Sequence, residues 1–343
     1  MMGQTRRMLN KPAISILLPV RNAQDTVATA IESIRAQTFA GWELLALDDG
    51  SDDGTGEVLT TFAAQDSRII VHRLPPRGIA EVLQLGCQEA RGEFIARMDA
   101  DDLMSPTRLQ QQRAHLLIHP QEGLVSCRVR FGGTEAGYGA HVDWINSLMT
   151  SEAISLRRFV EAPVAHPSVM FRRGLLAQHG GYRSGGFPED YELWLRWLAA
   201  GVQFGKVDAE LLTWNDPPHR LSRQDTRYSV DAFYRMKCLY LAPWLQRHAA
   251  DREVWLWGAG RVTRRRFDAL EAHGVRITGF IDVDESKRGQ HRDGRLVRMA
   301  DDLPPPSQAF ILAGVGARGA RDKIHHHLTQ HGWREGRDFL LAA

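Results

Sequence analysis

The chain has 343 residues, of which 43% are hydrophobic and 24% charged, and a formal net charge of +2. The length argues for two domains, each large enough to bury its own core, and the near-neutral balance argues against a nucleic-acid partner. Cys87, Cys127 and Cys238 lie far apart with no CxxC spacing. That argues against a disulfide framework or zinc site and fits a reducing compartment.

Residues 1–12 read as a polar, basic tail with no apolar leader, and no window reaches the roughly 18 apolar residues that span a bilayer. The expectation is a cytoplasmic protein, with contact at the inner face of the cell membrane left open. Arginines are dense at Arg264-Arg265-Arg266 and from Arg220 to Arg227. Such runs read either as a solvated face or as a surface that meets phosphates or anionic head groups.

Ile14 to Leu18 is an apolar run closed by Pro19 and predicts a buried strand. Asp25 to Gln37 predicts a helix, with Val27, Ala30, Ile31 and Ile34 on one face. Trp42 to Leu47 is a second strand, stopped by Asp48-Asp49-Gly50-Ser51. Thr55 to Gln65 is helical, Ile69 to Val71 a strand, Ile79 to Ala90 a helix, and Phe94 to Ala96 a strand that runs into Met98-Asp99. Strand and helix alternate with short connections, which implies a mostly parallel sheet covered by helices. Ligands of such sheets bind at the carboxyl ends of the strands. Three polar clusters fall there: Pro19 to Asn22, Asp48 to Asp53 and Asp99 to Asp102.

Leu124 to Gly181 is less regular. It combines strand-like Leu124 to Phe131 and Ser168 to Phe171 with a Gly-rich loop at Gly132 to Gly139. A helix is predicted from Glu189 to Ala200, with Gly201 as its stop. A long helix from Tyr228 to His248, interrupted near Pro243, closes a first domain of residues 13–249. Residues 250–343 form a smaller α/β unit. Its strands are Val254 to Trp257, Ile277 to Ile281 and Phe310 to Ala313, with helices up to His273 and from Arg318 to His331.

Two carboxylates at i and i+2 after a buried strand, Asp99 and Asp101, can both reach one cation. Hard oxygen donors suit Mg²⁺ or Mn²⁺. Such an ion neutralises charge on a departing diphosphate. Asp-x-Asp alone is a weak signal, since many solvated loops carry one. Here it stands in Arg97-Met98-Asp99-Ala100-Asp101-Asp102, directly after a strand.

From about residue 13 to about residue 240, the chain resembles the family-two glycosyltransferases of the GT-A fold, most of which invert the sugar. The matching segments are Ile16 to Asn22, Asp48 to Thr55, Arg97 to Asp102, and Glu189-Asp190. The resemblance implies a metal-dependent hexosyl transfer from a nucleoside-diphosphate sugar, with UDP favoured, to a saccharide or lipid-linked acceptor. It implies that Pro19, Val20, Arg21 and Asn22 line the nucleoside and that Asp49 faces the base or ribose. Arg97 then lies beside the diphosphate. Asp101 is the direct metal ligand, and Asp99 contacts the ribose or reaches the metal through water. Asp190 becomes the general base, with Glu189 next to it on the acceptor side.

Read without the resemblance, Asp190 sits on a helix anchored by Leu193, Trp194, Trp197 and Leu198. Acidic residues also favour helix N-termini for electrostatic reasons alone. His166 reads as an acceptor-side group or as a buried, hydrogen-bonded histidine. His219, Arg220 and Arg223 read as donor contacts in a closing loop, with His219 as a third metal ligand, or as a plain solvated loop. Trp214 reads as core, and Arg77 as part of the loop that borders the nucleotide. Arg21 and Gln84 stand where many relatives carry Tyr or Phe and Asn, which bears on base preference.

Gly258-Ala259-Gly260 resembles a phosphate-binding Rossmann turn, with Asp282 after the next strand, but Thr263 replaces the expected small residue and the strands are few. A tight turn with a packing, oligomerising or acceptor-guiding role, a homodimer included, is the favoured reading. The competing functions are a non-catalytic nucleotide-sugar-binding protein and an NAD-linked oxidoreductase carried by this unit.

Overall fold

The computed structural model describes residues 11–216, 223 and 225–343. Contacts divide the chain into two compact units. One holds the described residues of Met1–Met149, Val164–Ser184 and Val202–Pro218, and the other those of Thr150–Pro163, Gly185–Gly201 and His219–Ala343. Sequence order would divide the chain at residue 249, whereas contact groups three earlier stretches, 150–163, 185–201 and the described residues of 219–249, with the later strands.

In the first unit, β1 (Ile14–Val20), α1 (Val27–Arg35), β2 (Trp42–Asp48), α2 (Thr55–Gln65), β3 (Ile69–Arg73), α3 (Ile79–Glu89) and β4 (Phe94–Arg97) alternate in chain order. β1, β2 and β4 are buried along their whole length, as expected where helices cover both faces of a parallel sheet. α1 buries Val27, Ala30, Ile31 and Ile34, one stripe of a 3.6-residue period. Gly86 lets α3 press onto the sheet, since a Cβ there would lie 2.6 Å from Leu47 Cδ1.

β5 (Leu103–Met104), α4 (Arg108–Ile118), β6 (Glu122–Phe131), α5 (Ala136–Ser147), β7 (Met170–Arg172), α7 (Gly174–His179) and β8 (Gln203–Trp214) complete this unit. The intervening α6 (Ser151–Arg157) belongs to the other unit. The eight strands run in the order β3-β2-β1-β4-β7-β6-β8-β5. β7 is antiparallel to β4 and β6, and β5 is antiparallel to β8. The Gly-rich stretch expected to loop through Gly139 is a loop only to Glu135. From Ala136 it joins α5, whose Val142 and Ile145 are buried in the core. Packing of those two side chains outweighs the helix penalty of the glycines.

The second unit contains α6, α8 (Glu189–Ala199), α9 (Val230–Ala249), β9 (Glu253–Trp257), α10 (Arg261–Phe267), α11 (Ala269–Ala272), β10 (Ile277–Asp282), β11 (His291–Arg292), β12 (Arg295–Met299), β13 (Ala309–Ala313), α12 (Ala320–Gln330) and β14 (Phe339–Leu341). Among the described residues its sheet has six strands, ordered β11-β12-β10-β9-β13-β14, against the three read from sequence. α9 runs unbroken through Pro243, contrary to the expected interruption. Pro243 and Leu239, whose carbonyl the proline leaves unbonded, are both exposed, so water can satisfy that oxygen, while buried Leu241, Ala242 and Leu245 hold the helix. Among the described residues, no helix is long and apolar enough to cross a membrane.

Candidate active site

β1, β2 and β4 are mutually parallel, with Val20 paired to Asp48 and Leu17 to Arg97, so their carboxyl ends reach one edge of the sheet. The loops after β1 and β2 are clasped together. Asn22 N donates to Ser51 Oγ at 3.0 Å, Asp52 N to Asn22 Oδ1 at 3.0 Å, and Ala23 N to Thr55 Oγ1 at 2.8 Å. Asn22 takes φ 50°, a left-handed conformation that asparagine tolerates better than most residues. Pro19 and Val20 are buried, while Arg21 and Asn22 are exposed.

Asp49 is buried and its carboxylate accepts from the backbone of the next loop, Arg77 N at 2.6 Å and Gly78 N at 3.0 Å. Gly78 adopts φ 89°, which brings its amide to that carboxylate at the start of α3. Arg21 Nη1 lies 3.9 Å from Asp49 Oδ2. The first and second loops and the Arg77 loop are therefore joined through one carboxylate.

At the end of β4, one carboxylate oxygen from each of Asp99, Asp101 and Asp102 lies within 4.8 Å of the others. Asp102 is only 1% exposed; its Oδ1 accepts from Asn215 N at 2.8 Å, and its buried Oδ2 has no hydrogen-bond partner among the described residues. Burial pushes its carboxyl well above the usual range, and the charges of Asp99 and Asp101 push it further. Asn215 Nδ2 also donates to Asp101 O at 2.6 Å, which fixes the backbone of the cluster. Arg97 is 2% exposed and ion-paired with Asp99, and its Nε finds no partner among the described residues.

Beneath this strand end, fully buried Arg108 donates from Nη2 to the carbonyls of Arg97 at 2.9 Å and Val169 at 3.3 Å. Gln112, one turn on, reaches Val125 O at 3.3 Å and Ser168 O at 2.7 Å. Asp102, Asn215 and Arg108 were not singled out from the sequence. Asp102 could have been found as the third carboxylate of the run. Arg108 had a signal as a charged residue on the first turn of a helix after Pro106. Asn215 is 113 residues away from Asp102 and had none.

His166 is buried, and its Nε2 lies 2.7 Å from the Tyr182 hydroxyl. Burial, aided by the Arg97 charge, holds its pKa well below the ordinary value. It is thus a buried, hydrogen-bonded, neutral imidazole. An unfolded histidine binds its proton near pH 6.5, whereas this one stays neutral well below that. The unfolded chain therefore takes up the extra proton first, and stability falls as pH drops below about 6.5, by up to ~1.4 kcal/mol per pH unit. His166→Gln should remove that slope, measured as urea-unfolding free energy between pH 7.5 and 5.5. An unchanged slope would exclude the assignment.

In the second unit, α8 buries Tyr191, Leu193, Trp194, Leu195 and Trp197. Asp190 Oδ1 accepts from Tyr191 N at 2.7 Å. Glu189, 3% exposed, accepts from the Tyr228 hydroxyl at 2.6 Å. Arg223 is exposed, and His219 and Arg220 lie outside the described residues. Trp214 is buried and meets Tyr138 edge-on at 5.1 Å, consistent with a core role.

In the turn after β9, the Ala259 amide meets the acidic side chain that ends β10. Asp282 accepts from Ala259 N at 3.2 Å, Val283 N at 2.9 Å and Asp284 N at 3.1 Å, and pairs with Lys287 at 2.9 Å. Gly258 has φ 125°, and a Cβ there would lie 2.8 Å from Thr263 Cγ2. These contacts make the turn tight at Gly258 and tie it to the end of β10.

Residues 15–180 match the model of the family described as Glycosyl transferase family 2. EpsE of Bacillus subtilis (strain 168), a protein with a glycosyltransferase name, is 30% identical over 229 residues, which are 65% of this chain and 80% of that protein. The O-antigen biosynthesis glycosyltransferase WbnJ of Escherichia coli is 25% identical over 237 residues, covering 68% of this chain and 89% of WbnJ. Among solved structures, residues 1–349 of TarS from S. aureus, in complex with UDP-GlcNAc, align with a TM-score of 0.52 at 15% identity. That alignment covers 68% of this chain and 66% of that one. At such identity the likeness is one of fold, the GT-A architecture.

Proposed function

This chain belongs to glycosyl transferase family 2, and from that premise we propose that it moves a sugar, with inversion, from a nucleoside-diphosphate donor to a hydroxyl of a saccharide or lipid-linked acceptor in cell-surface polysaccharide synthesis. The observation that carries this reading is the meeting of Asp99, Asp101 and Asp102 at the sheet edge, where the loop holding Asp49 also ends. TarS shares the fold and was solved with UDP-GlcNAc, which favours a UDP-sugar as donor.

The donor set fits a divalent cation. Three carboxylates crowd together, one of them buried with an oxygen that has no partner among the described residues, and hard oxygen ligands select Mg²⁺ or Mn²⁺. Asp101 is the assigned direct ligand, with Asp99 and Asp102 beside it. When bound, such an ion neutralises the negative charge of the diphosphate leaving group.

The chain's own groups supply the rest. Buried Arg97, fixed by its ion pair with Asp99, offers a fixed positive charge to the diphosphate. Arg21, Asn22 and the Arg77 loop border the nucleoside. The acceptor hydroxyl gives its proton to the Asp190 carboxylate as its oxygen bonds to the anomeric carbon. The bond from that carbon to the diphosphate oxygen breaks, and the diphosphate leaves with the electron pair. This in-line displacement inverts the anomeric centre.

The test is a thermal-shift screen of nucleotide sugars with and without Mn²⁺. A donor at a hundredfold excess over its Kd should stabilise the protein by about 2.7 kcal/mol. One nucleotide sugar is expected to stand out, and only with metal present. Equal shifts for all, or none with any, would argue against the reading.

A further inference from the structure

α8, the helix that begins with Glu189 and Asp190, is built into the C-terminal unit. The Tyr191 ring stacks on Phe233 of α9 at 4.1 Å with planes 3° apart, and its hydroxyl donates to Arg158 O at 2.7 Å. Leu195 belongs to one apolar cluster with Leu241 and Leu245 of α9, Leu256 of β9 and Phe310 of β13. Two tyrosines hold the polar side. Tyr228 donates its hydroxyl to Glu189 Oε2 at 2.6 Å, and Tyr240 to Glu192 Oε1 at 2.6 Å. Glu192 is further paired with Arg196 at 2.9 Å. Both glutamates are buried, and a buried carboxylate is tolerated only with such partners.

The turn that presents Tyr228 is itself fastened. Asp225 Oδ1 accepts from Arg227 N at 2.8 Å, and its Oδ2 pairs with the Arg227 guanidinium at 2.7 Å. Burial, with the negative charges of Glu189 and Asp190, raises the Tyr228 phenol far above its ordinary pKa, so it remains an O–H donor at every working pH.

We propose that the C-terminal unit is the scaffold that positions the acceptor-activating carboxylate, and that Tyr228 is a positioning residue for Asp190, acting through Glu189 on the first turn of α8. This rests on the reading of Asp190 as general base. A base works only within hydrogen-bond reach of the proton it takes, and a displacement of about 1 Å can cost a hundredfold in rate. Without the Tyr228 hydroxyl, the buried Glu189 carboxylate loses the 2.6 Å hydrogen bond that ties the first turn of α8 to the Tyr228 turn, and the first turn shifts.

The experiment compares Tyr228→Phe, Tyr240→Phe, Asp190→Asn and the Tyr228→Phe/Asp190→Asn double variant, with kcat, metal-dependent donor Kd and melting temperature measured for each. Tyr228→Phe should lower kcat about tenfold and leave donor Kd within about twofold. The double variant should be no slower than Asp190→Asn alone, because both act on one step. Tyr240→Phe, one turn further along, should give a smaller loss of the same kind. Full kcat in Tyr228→Phe beside an inactive Asp190→Asn overturns the scaffold role and leaves the base reading intact. A parallel loss of donor affinity, or a multiplicative double variant, also overturns it. Full activity in Asp190→Asn removes the base reading and the scaffold role together.

Discussion

Asp101→Asn is expected to lower transfer by about three orders of magnitude and to abolish the metal dependence of donor binding. The size follows from the several kcal/mol of charge stabilisation that a bound cation supplies to a diphosphate leaving group, at about 1.4 kcal/mol per tenfold. The substitution keeps the shape of the side chain and leaves Asp101 O free to accept from Asn215 Nδ2 as before. Of the three carboxyl groups within 4.8 Å, it also removes one of the two, Asp99 and Asp101, whose charges bear on the buried Asp102 carboxyl. The melting temperature should therefore hold or rise while activity is lost. Activity assayed beside donor binding with and without Mn²⁺ checks this, and full transfer by Asp101→Asn would defeat the metal assignment.

Asp190→Asn should cost about 10² to 10⁴ in kcat, the range of a positioned general base. Donor and metal binding should be unchanged, because the acceptor proton is the only thing the side chain is proposed to handle. The pair of variants thus separates two roles. Asp101→Asn loses donor binding and rate together, and Asp190→Asn loses rate alone. A fall in donor affinity for Asp190→Asn would place that carboxylate on the donor side.

Much of the donor half was legible because its chemistry is local in sequence. Ile14 to Leu18, Trp42 to Leu47 and Phe94 to Ala96 are apolar on both faces, so they read as central parallel strands, and the polar residues that follow each had to fall at one edge. The acidic run from Asp99 to Asp102 was legible for the same reason. What escaped was nonlocal. β8 was missed because Val207, Asp208, Ala209 and Glu210 are not buried, so that stretch lacks the apolar run by which the other strands were read. Asn215 reaches the aspartates only because β8 returns beside β6 and carries its end to them. α9 was expected to break at Pro243, since a sequence shows the missing amide and not the buried side chains that hold the helix together.

Asp49 and His166 show the same division. The family resemblance gave Asp49 to the base or ribose, and His166 read either as an acceptor-side group or as a buried, hydrogen-bonded histidine. Only the fold shows that the Asp49 carboxylate accepts from the Arg77 and Gly78 amides, and that His166 is buried against the Tyr182 hydroxyl with its pKa held down. The alternation of strands and helices, the family and the acidic cluster were written in residues close together in the chain, where spacing alone fixes which face a side chain takes. The unit to which α8 belongs, the partners of Glu189 and the burial of Asp102 depend on which distant segments pack together. That packing reflects the summed burial of apolar surface across the whole chain, a quantity no local pattern contains.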